Sequence, residues 1–302
     1  MDKAVVIGGS GFLGSYIADV LTLRGYDVCV YDRDVSQWLQ KQQKIVVGDL
    51  LDQEALTECC KDVRYIFHFG GIADIEESTV KPMETISSNV MGSTVALEVA
   101  RQVCVERFFY ASTLYVYSPF GSFYRASKQA AEILVEAYHE NYGLNYTLLR
   151  YGSLYGPRSQ NWNGLKKYVD QVVREGKLKY LGTGNERREY IHVEDAARLT
   201  VDALDSSECN NAVTLSGSES INSRDLIEMI FEIAGVEKNI EYSEDDTRAE
   251  HYKLTPYRYT PKAATKIVPS QYVDLGQGIL NLVEEVHQEI ETEGEAYQRL
   301  LD

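Results

Sequence analysis

The chain has 302 residues, 44% of them apolar and 25% charged, with a formal net charge of −16. That balance suits one large fold or two unequal ones with a sizeable core and excludes a disordered or low-complexity chain. No basic stripe is visible for nucleic acid, an acidic surface disfavours anionic membranes, and no stretch approaches membrane-spanning length. The N-terminal "MDKAVVIGGSGFLGSYIADVL" superficially mimics a signal peptide, but glycines and then Asp19 break its apolar run. The five cysteines, Cys29, Cys59, Cys60, Cys104 and Cys209, form no C-x-x-C. Neither a metal site nor a disulfide framework is expected, and a reducing, cytoplasmic compartment is.

In chain order, "KAVVI" (3–7) reads as a buried strand ending in glycines. Residues 12–24 carry apolar groups at helical spacing until Gly25 stops them, and "DVCVYD" (27–32) is a second strand. "KIVVGD" (44–49) predicts strand three, 52–60 a helix and "VRYIFHFG" (63–70) strand four. Residues 82–104 predict one long helix, "RFFYAS" (107–112) strand five, 124–142 another helix and "NYTLLRYG" (145–152) strand six. Strands separated by helices imply an α/β class: a Rossmann-type, doubly wound parallel sheet. After Gly156–Pro157 the pattern changes. Helices are expected over 161–176, 222–235 and 276–291, with a short strand at "KLKYLG". "REYIHVEDAARLTVDAL" (188–204) reads as a strand and helix able to return to the main sheet. The expected division is 1–155 plus about 188–208 for the first unit, and about 156–187 plus 209–302 for a smaller, discontinuous second unit.

"IGGSGFLG" places Gly8, Gly11 and Gly14 between the first strand and the first helix. The first glycine permits the tight turn, the second lets the backbone approach a pyrophosphate, and the third lets helix and strand pack closely. The helix N-terminus, at Phe12 and Leu13, offers unpaired N–H groups and partial positive charge to phosphates. Asp32 ends the next strand, where it can accept from both ribose hydroxyls, which favours NAD over NADP. Arg33 beside it is positioned for a 2′-phosphate and pulls the other way.

"FYRASKQAA" (123–131) puts Tyr124 and Lys128 four residues apart on a predicted helix, hence on one face. A free phenol has a pKa near ~10 and is a poor base at neutral pH. A neighbouring ammonium favours the phenolate, and the same lysine can hydrogen-bond a nicotinamide ribose. Thr113, ending strand five, supplies a hydroxyl to orient a substrate oxygen. In isolation Y-x-x-x-K is a common chance pattern; the glycine turn upstream and the hydroxyls of Ser112 and Thr113 give it chemical context.

With these motifs the chain resembles the extended short-chain dehydrogenase/reductase family, in particular its NAD-dependent sugar-nucleotide epimerase/dehydratase group. "GDLLD" is similar to the family segment near adenine, implying cofactor contacts for Asp49 and Leu50. "IFHFGG" resembles H-x-A-A, implying that Phe69, Gly70 and Gly71 line the cofactor, and "SNVMGSTVALEVAR" carries the family asparagine as Asn89. "FFYASTLYVY" aligns Thr113 with the catalytic hydroxyl and Ser112 beside it at the substrate. "LLRYGSLYGPR" resembles L-R-x-x-N-V-Y-G-P with Ser153 in place of the diphosphate-binding asparagine. "RREYIHVEDAA" is close to R-D-F-I-H-V-D-D-V-A, implying a phosphate contact for Arg188, and Arg248 has roughly the spacing of a later phosphate-binding arginine. His192 and His68 read as structural residues.

The sequence also departs from its group. Leu114 and Tyr115 follow Thr113 where dehydratases carry an acidic pair, which argues against elimination of water. The segment between strand five and Tyr124 is short, so the substrate pocket is expected to be open on one side. The resemblance implies an NAD-dependent epimerase of a nucleoside-diphosphate sugar. It would act at C4 through a transient 4-keto sugar, with Tyr124 as base, Lys128 tuning it and Thr113 holding the oxygen. A net NAD(P)H-dependent reductase of a 4-keto sugar nucleotide and a non-catalytic dinucleotide-binding sensor or scaffold are the alternatives. The first unit would hold NAD and the second the nucleotide sugar. Helices near 89–104 and 124–142 are apolar on more than one side, and the resemblance implies a homodimer built on them.

Overall fold

The computed structural model describes residues 1–205, 209–243, 255, 265–269 and 271–301. The chain opens β1 (Lys3–Ile7), α1 (Phe12–Leu23), β2 (Asp27–Asp32), β3 (Lys44–Val47), α2 (Gln53–Cys59) and β4 (Tyr65–His68). It continues with α3 (Ile75–Val80), α4 (Pro82–Ile86), a π-helical turn (Ser87–Met91), α5 (Gly92–Gln102), β5 (Arg107–Thr113) and a 3-10 turn (Leu114–Tyr117). Next come α6 (Ser122–Tyr142), β6 (Tyr146–Tyr151), β7 (Ser153–Tyr155), α7 (Gly164–Glu175), β8 (Leu178–Leu181) and β9 (Arg187–His192). The rest is α8 (Val193–Asp202), β10 (Asn211–Leu215), β11 (Ser220–Asn222), α9 (Ser223–Ala234), β12 (Ile240–Ser243), β13 (Thr265–Ile267) and α10 (Leu275–Leu301).

Eight strands form one parallel sheet in the order β13-β10-β6-β5-β4-β1-β2-β3. The strand order reverses between β1 and β4, which opens a crevice at their C-terminal ends, where open α/β sheets bind ligands. The strands are apolar on both sides because helices cover both faces. One face packs against α1 and α8 through Ile17, Leu21, Val193, Ala197 and Val201. The other packs against α2, α5 and α6 through Leu56, Leu97, Val99, Ala131 and Val135. Ile17 and Leu21 are fully buried; each such side chain stabilises the fold by roughly 1.5–3 kcal/mol.

A second core joins α7, α9 and α10 around Val169, Val172, Ile227, Phe231, Ile279, Leu282 and Val286. Two small sheets, β11-β9-β7 and β12-β8, complete this part.

Three expectations change. Residues 188–204 divide: α8 returns to the first core beside α1, whereas β9 pairs with β7 and β11 instead of the main sheet. Residues 209–302 also divide, because β10 pairs with β6 and β13 with β10 in the main sheet. The return strand is only five residues long and follows a long excursion through the second core, so local alternation does not reveal it. The expected helix over 82–104 is broken by the π turn at Ser87–Met91, which rotates Asn89 into the interior.

Candidate active site

A cavity of about 1000 Å³ occupies the crevice, at the top of the usual range for small-molecule sites. One end is built by backbone. Gly8 has φ +79°, and a Cβ there would stand 2.5 Å from the Gly70 nitrogen. Only glycine lets the turn after β1 lie against the turn after β4. Gly11 then caps α1 with extended backbone, no side-chain cap and no acidic residue in the first turn. The first N–H groups of α1 therefore face the cavity, which Gly11, Phe12, Leu13 and Gly14 line. Asp32 closes this end: its carboxylate accepts the Ser10 N–H at 2.9 Å and the Arg33 N–H at 2.7 Å. The same oxygen that accepts from Arg33 also accepts the Asp34 N–H at 3.4 Å, and the oxygen bonded to Ser10 keeps a lone pair for a ligand hydroxyl. An uncapped helix N-terminus with an acid one strand away suits a diphosphate joined to a ribose.

Arg33, Asp49, Leu50, Phe69, Gly70 and Gly71 also line the cavity, as do Ser112, Thr113, Tyr124 and Lys128. Asn89 does not. It is 1% exposed, donates to the Ile72 carbonyl at 2.8 Å and to Ser127 Oγ at 3.0 Å, and accepts the Ile72 N–H at 2.7 Å. Through these bonds Asn89 braces the turn that leads from Gly70 to Ile72. Ser153 and Arg188 lie outside the cavity lining, on β7 and β9; the charge of Arg188 acts on Tyr168 of α7. Arg248 lies outside the described residues.

The catalytic candidates meet where β5 ends beneath the start of α6. Gly121, at φ +101°, precedes α6, and the Tyr124 N–H donates to Ser78 Oγ of α3 at 3.2 Å. The Tyr124 ring meets Tyr115 edge-on at 6.1 Å in a small apolar cluster with Ile75 and Phe120. Lys128, one turn along, is buried; Nζ donates to the Ala111 carbonyl at 2.9 Å and lies 6.0 Å from the Tyr124 ring centre and 4.9 Å from that of Tyr110. Burial pulls its pKa down to about 8, against the raising effect of Glu132. Thr113 lines the cavity and caps the 3-10 turn by accepting the Tyr115 N–H at 3.2 Å. Leu114 and Tyr115, which stand in place of an acidic pair, are buried outside the lining.

Below the cavity Glu132 and Arg150 form a bidentate pair, each side chain 1% exposed, with both N···O distances 2.8 Å. Ser112 Oγ donates to Glu132 at 2.6 Å, and Arg150 also reaches the Tyr117 hydroxyl. His68 bonds Ser93 Oγ at 2.9 Å; burial first, and Lys128 second, push its pKa down to about 3, so it stays neutral. His192 is buried too, with its pKa lowered by burial. Both fit structural roles.

Sequence reading missed Trp38, Gln160 and Trp162, which also line the cavity, as does Leu154. They come from a loop after β2 and from the segment after β7, and no motif links the two. Glu132 had a local signal, four residues after Lys128, but its partner Arg150 becomes visible only once β5 and β6 are paired.

A UDP-glucuronate 4-epimerase of Thermodesulfobacterium geofontis is 25% identical over 270 residues, covering 80% of this chain and 84% of that protein. A dTDP-glucose 4,6-dehydratase of Streptomyces niveus is 25% identical over 311 residues, covering 93% and 92%. The crystal structure of the UDP-glucose 4-epimerase of Thermotoga maritima with UDP-glucose superposes with a TM-score of 0.84, at 24% identity, over 95% of this chain and 99% of that one. The model of the NAD dependent epimerase/dehydratase family matches residues 4–215, and the chain belongs to that family.

Proposed function

We propose that the protein is an NAD-dependent 4-epimerase of a nucleoside-diphosphate sugar, with UDP-hexoses the first substrates to test. The observation that carries this reading is the convergence of Tyr124, Lys128 and Thr113 on one cavity with the glycine turn and Asp32. The glycine turn, the α1 N-terminus and Asp32 would hold NAD, with Phe69 to Gly71 along its length. When bound, NAD supplies the acceptor for a hydride from the sugar and its return. Tyr124 takes the proton of the C4 hydroxyl and later gives it back. Lys128 lowers the cost of the phenolate by its charge, and Thr113 holds the reacting oxygen. Epimerisation requires the keto sugar to turn between the two transfers, and a cavity of about 1000 Å³ leaves room for that.

The lack of an acid–base carboxyl pair after Thr113 favours epimerisation over dehydration. Ser153, Arg188 and Arg248 belong to the same proposal as contacts for the nucleotide diphosphate. So does a homodimer through the helices near 89–104 and 124–142, where Met91 of the π turn and Phe123 and Ile133 of α6 are 53%, 43% and 57% exposed; sedimentation velocity tests it. We also place the protein in the cytoplasm. The deciding assay follows UDP-glucose and UDP-galactose by NMR without added NADH. Interconversion supports the reading; stoichiometric consumption of NADH by a 4-keto sugar would replace it with a reductase.

A further inference from the structure

A buried ion pair is a poor source of stability. Removing two charges from water costs about as much as their attraction returns, and apolar side chains of like volume pack as well or better. The Glu132–Arg150 pair therefore calls for a role beyond holding the core.

Its position suggests one. Ser112 and Arg150 are directly opposed in the parallel register of β5 and β6. Glu132 of α6 bonds both, and Arg150 reaches on to Tyr117 in the turn after β5. One helical turn earlier, Lys128 grips the carbonyl of Ala111. Two successive residues of β5, Ala111 and Ser112, are thus held by two successive turns of α6, immediately before Thr113. A one-residue slip of α6 would separate Tyr124 from Thr113.

Charge points the same way. The titratable groups facing Lys128 are Tyr124 and Glu132 from its own helix, Tyr110 from β5 and His68 from β4. Burial keeps His68 neutral and pushes the Tyr110 phenol up, so it stays protonated. Among the described residues, Glu132 is the carboxylate that favours the ammonium form of Lys128.

We infer that Glu132, fixed by Arg150, is the positioning residue of this site: it sets the register of α6 on β5 and holds Lys128 as an ammonium ion. The role of Lys128 in turnover rests on the proposed epimerase reading; its protonation does not. The test therefore has a readout without substrate. In protein labelled with ¹³Cε-lysine, the Lys128 signal is assigned by its loss in Lys128→Met and titrated with pH. The double variant Glu132→Gln/Arg150→Met removes both charges and leaves no unpaired ion. Its Lys128 midpoint is expected to fall from about 8 to about 7 or below. Turnover at pH 7.5 is expected to drop by roughly 10- to 100-fold with KM unchanged. Glu132→Asp, which keeps the charge but draws it back by one methylene, shows a smaller shift of the same sign and serves if the double variant does not fold. An unchanged midpoint in whichever variant folds overturns the inference. A shifted midpoint in a protein without turnover on any nucleotide sugar upholds it and removes the epimerase reading instead.

Discussion

The two ends of the cavity are built differently. The end lined by Gly8 to Gly14, Asp32 and Phe69 to Gly71 is mostly backbone, shaped at the point where the strand order of the main sheet reverses. The opposite end, at Leu154, Gln160 and Trp162, is made of side chains from the excursion towards the second core. Between them stand Tyr124, Lys128 and Thr113, anchored from below by β5 and α6. A backbone site binds what all members of a fold class share, since any sequence with the right glycines reproduces it. A side-chain wall varies with every substitution, so it is where substrate choice resides.

The largest way to break this division is to remove the phenol that both ends serve. Tyr124→Phe is expected to lower kcat by roughly 1000-fold while NAD binding persists. Both tryptophans of the chain line the cavity, so intrinsic fluorescence reads that binding directly. Gly8→Ala attacks the backbone end. A side chain at φ +79° with a Cβ 2.5 Å from the Gly70 nitrogen is expected to cost about 2–5 kcal/mol of stability, seen in urea unfolding, together with NAD affinity.

Acidity sharpens the comparison at its centre. The Lys128 pKa is lowered to about 8 in the folded protein, so its ammonium is present below that pH and lost above it. Turnover is expected to fall by about tenfold per pH unit above this value, measured as kcat against pH, with substrate KM unmoved. The opposite sign holds for stability. The unfolded chain binds more protons than the folded one between pH 8 and about 10.4, so this group favours folding as pH rises through that window. The smallest expected effect is at the side-chain wall. Trp162→Ala should raise the KM for the nucleotide sugar by about 10-fold, or ~1.4 kcal/mol, and leave NAD affinity unchanged. Equal losses of both would mean that the two ends are not separable.

What could be read from the sequence follows from the same division. The glycine turn, Asp32 and the Tyr124–Lys128 spacing are local patterns, and the structure brings all of them to one cavity. Asn89 was legible as a special residue but its inward turn was not, because that depends on a π-helical insertion that helical periodicity does not encode. The partnership of Glu132 with Arg150 spans two elements and depends on the register of β5 with β6. Trp38 lies in the loop after β2 and Gln160 and Trp162 in the segment before α7, far apart in sequence and joined by no motif, yet all three line one cavity. β10 was missed for the same reason: five residues separated from β6 by the excursion through the second core carry no local mark of their partner.

The most direct test of the central claim uses UDP-glucose carrying deuterium at C4, incubated with the purified protein and followed by NMR and mass spectrometry. A hydride that leaves and returns within one closed site gives UDP-galactose with the deuterium retained at C4. Product that has exchanged its label for solvent hydrogen, or product formed equally well by Tyr124→Phe, would contradict it.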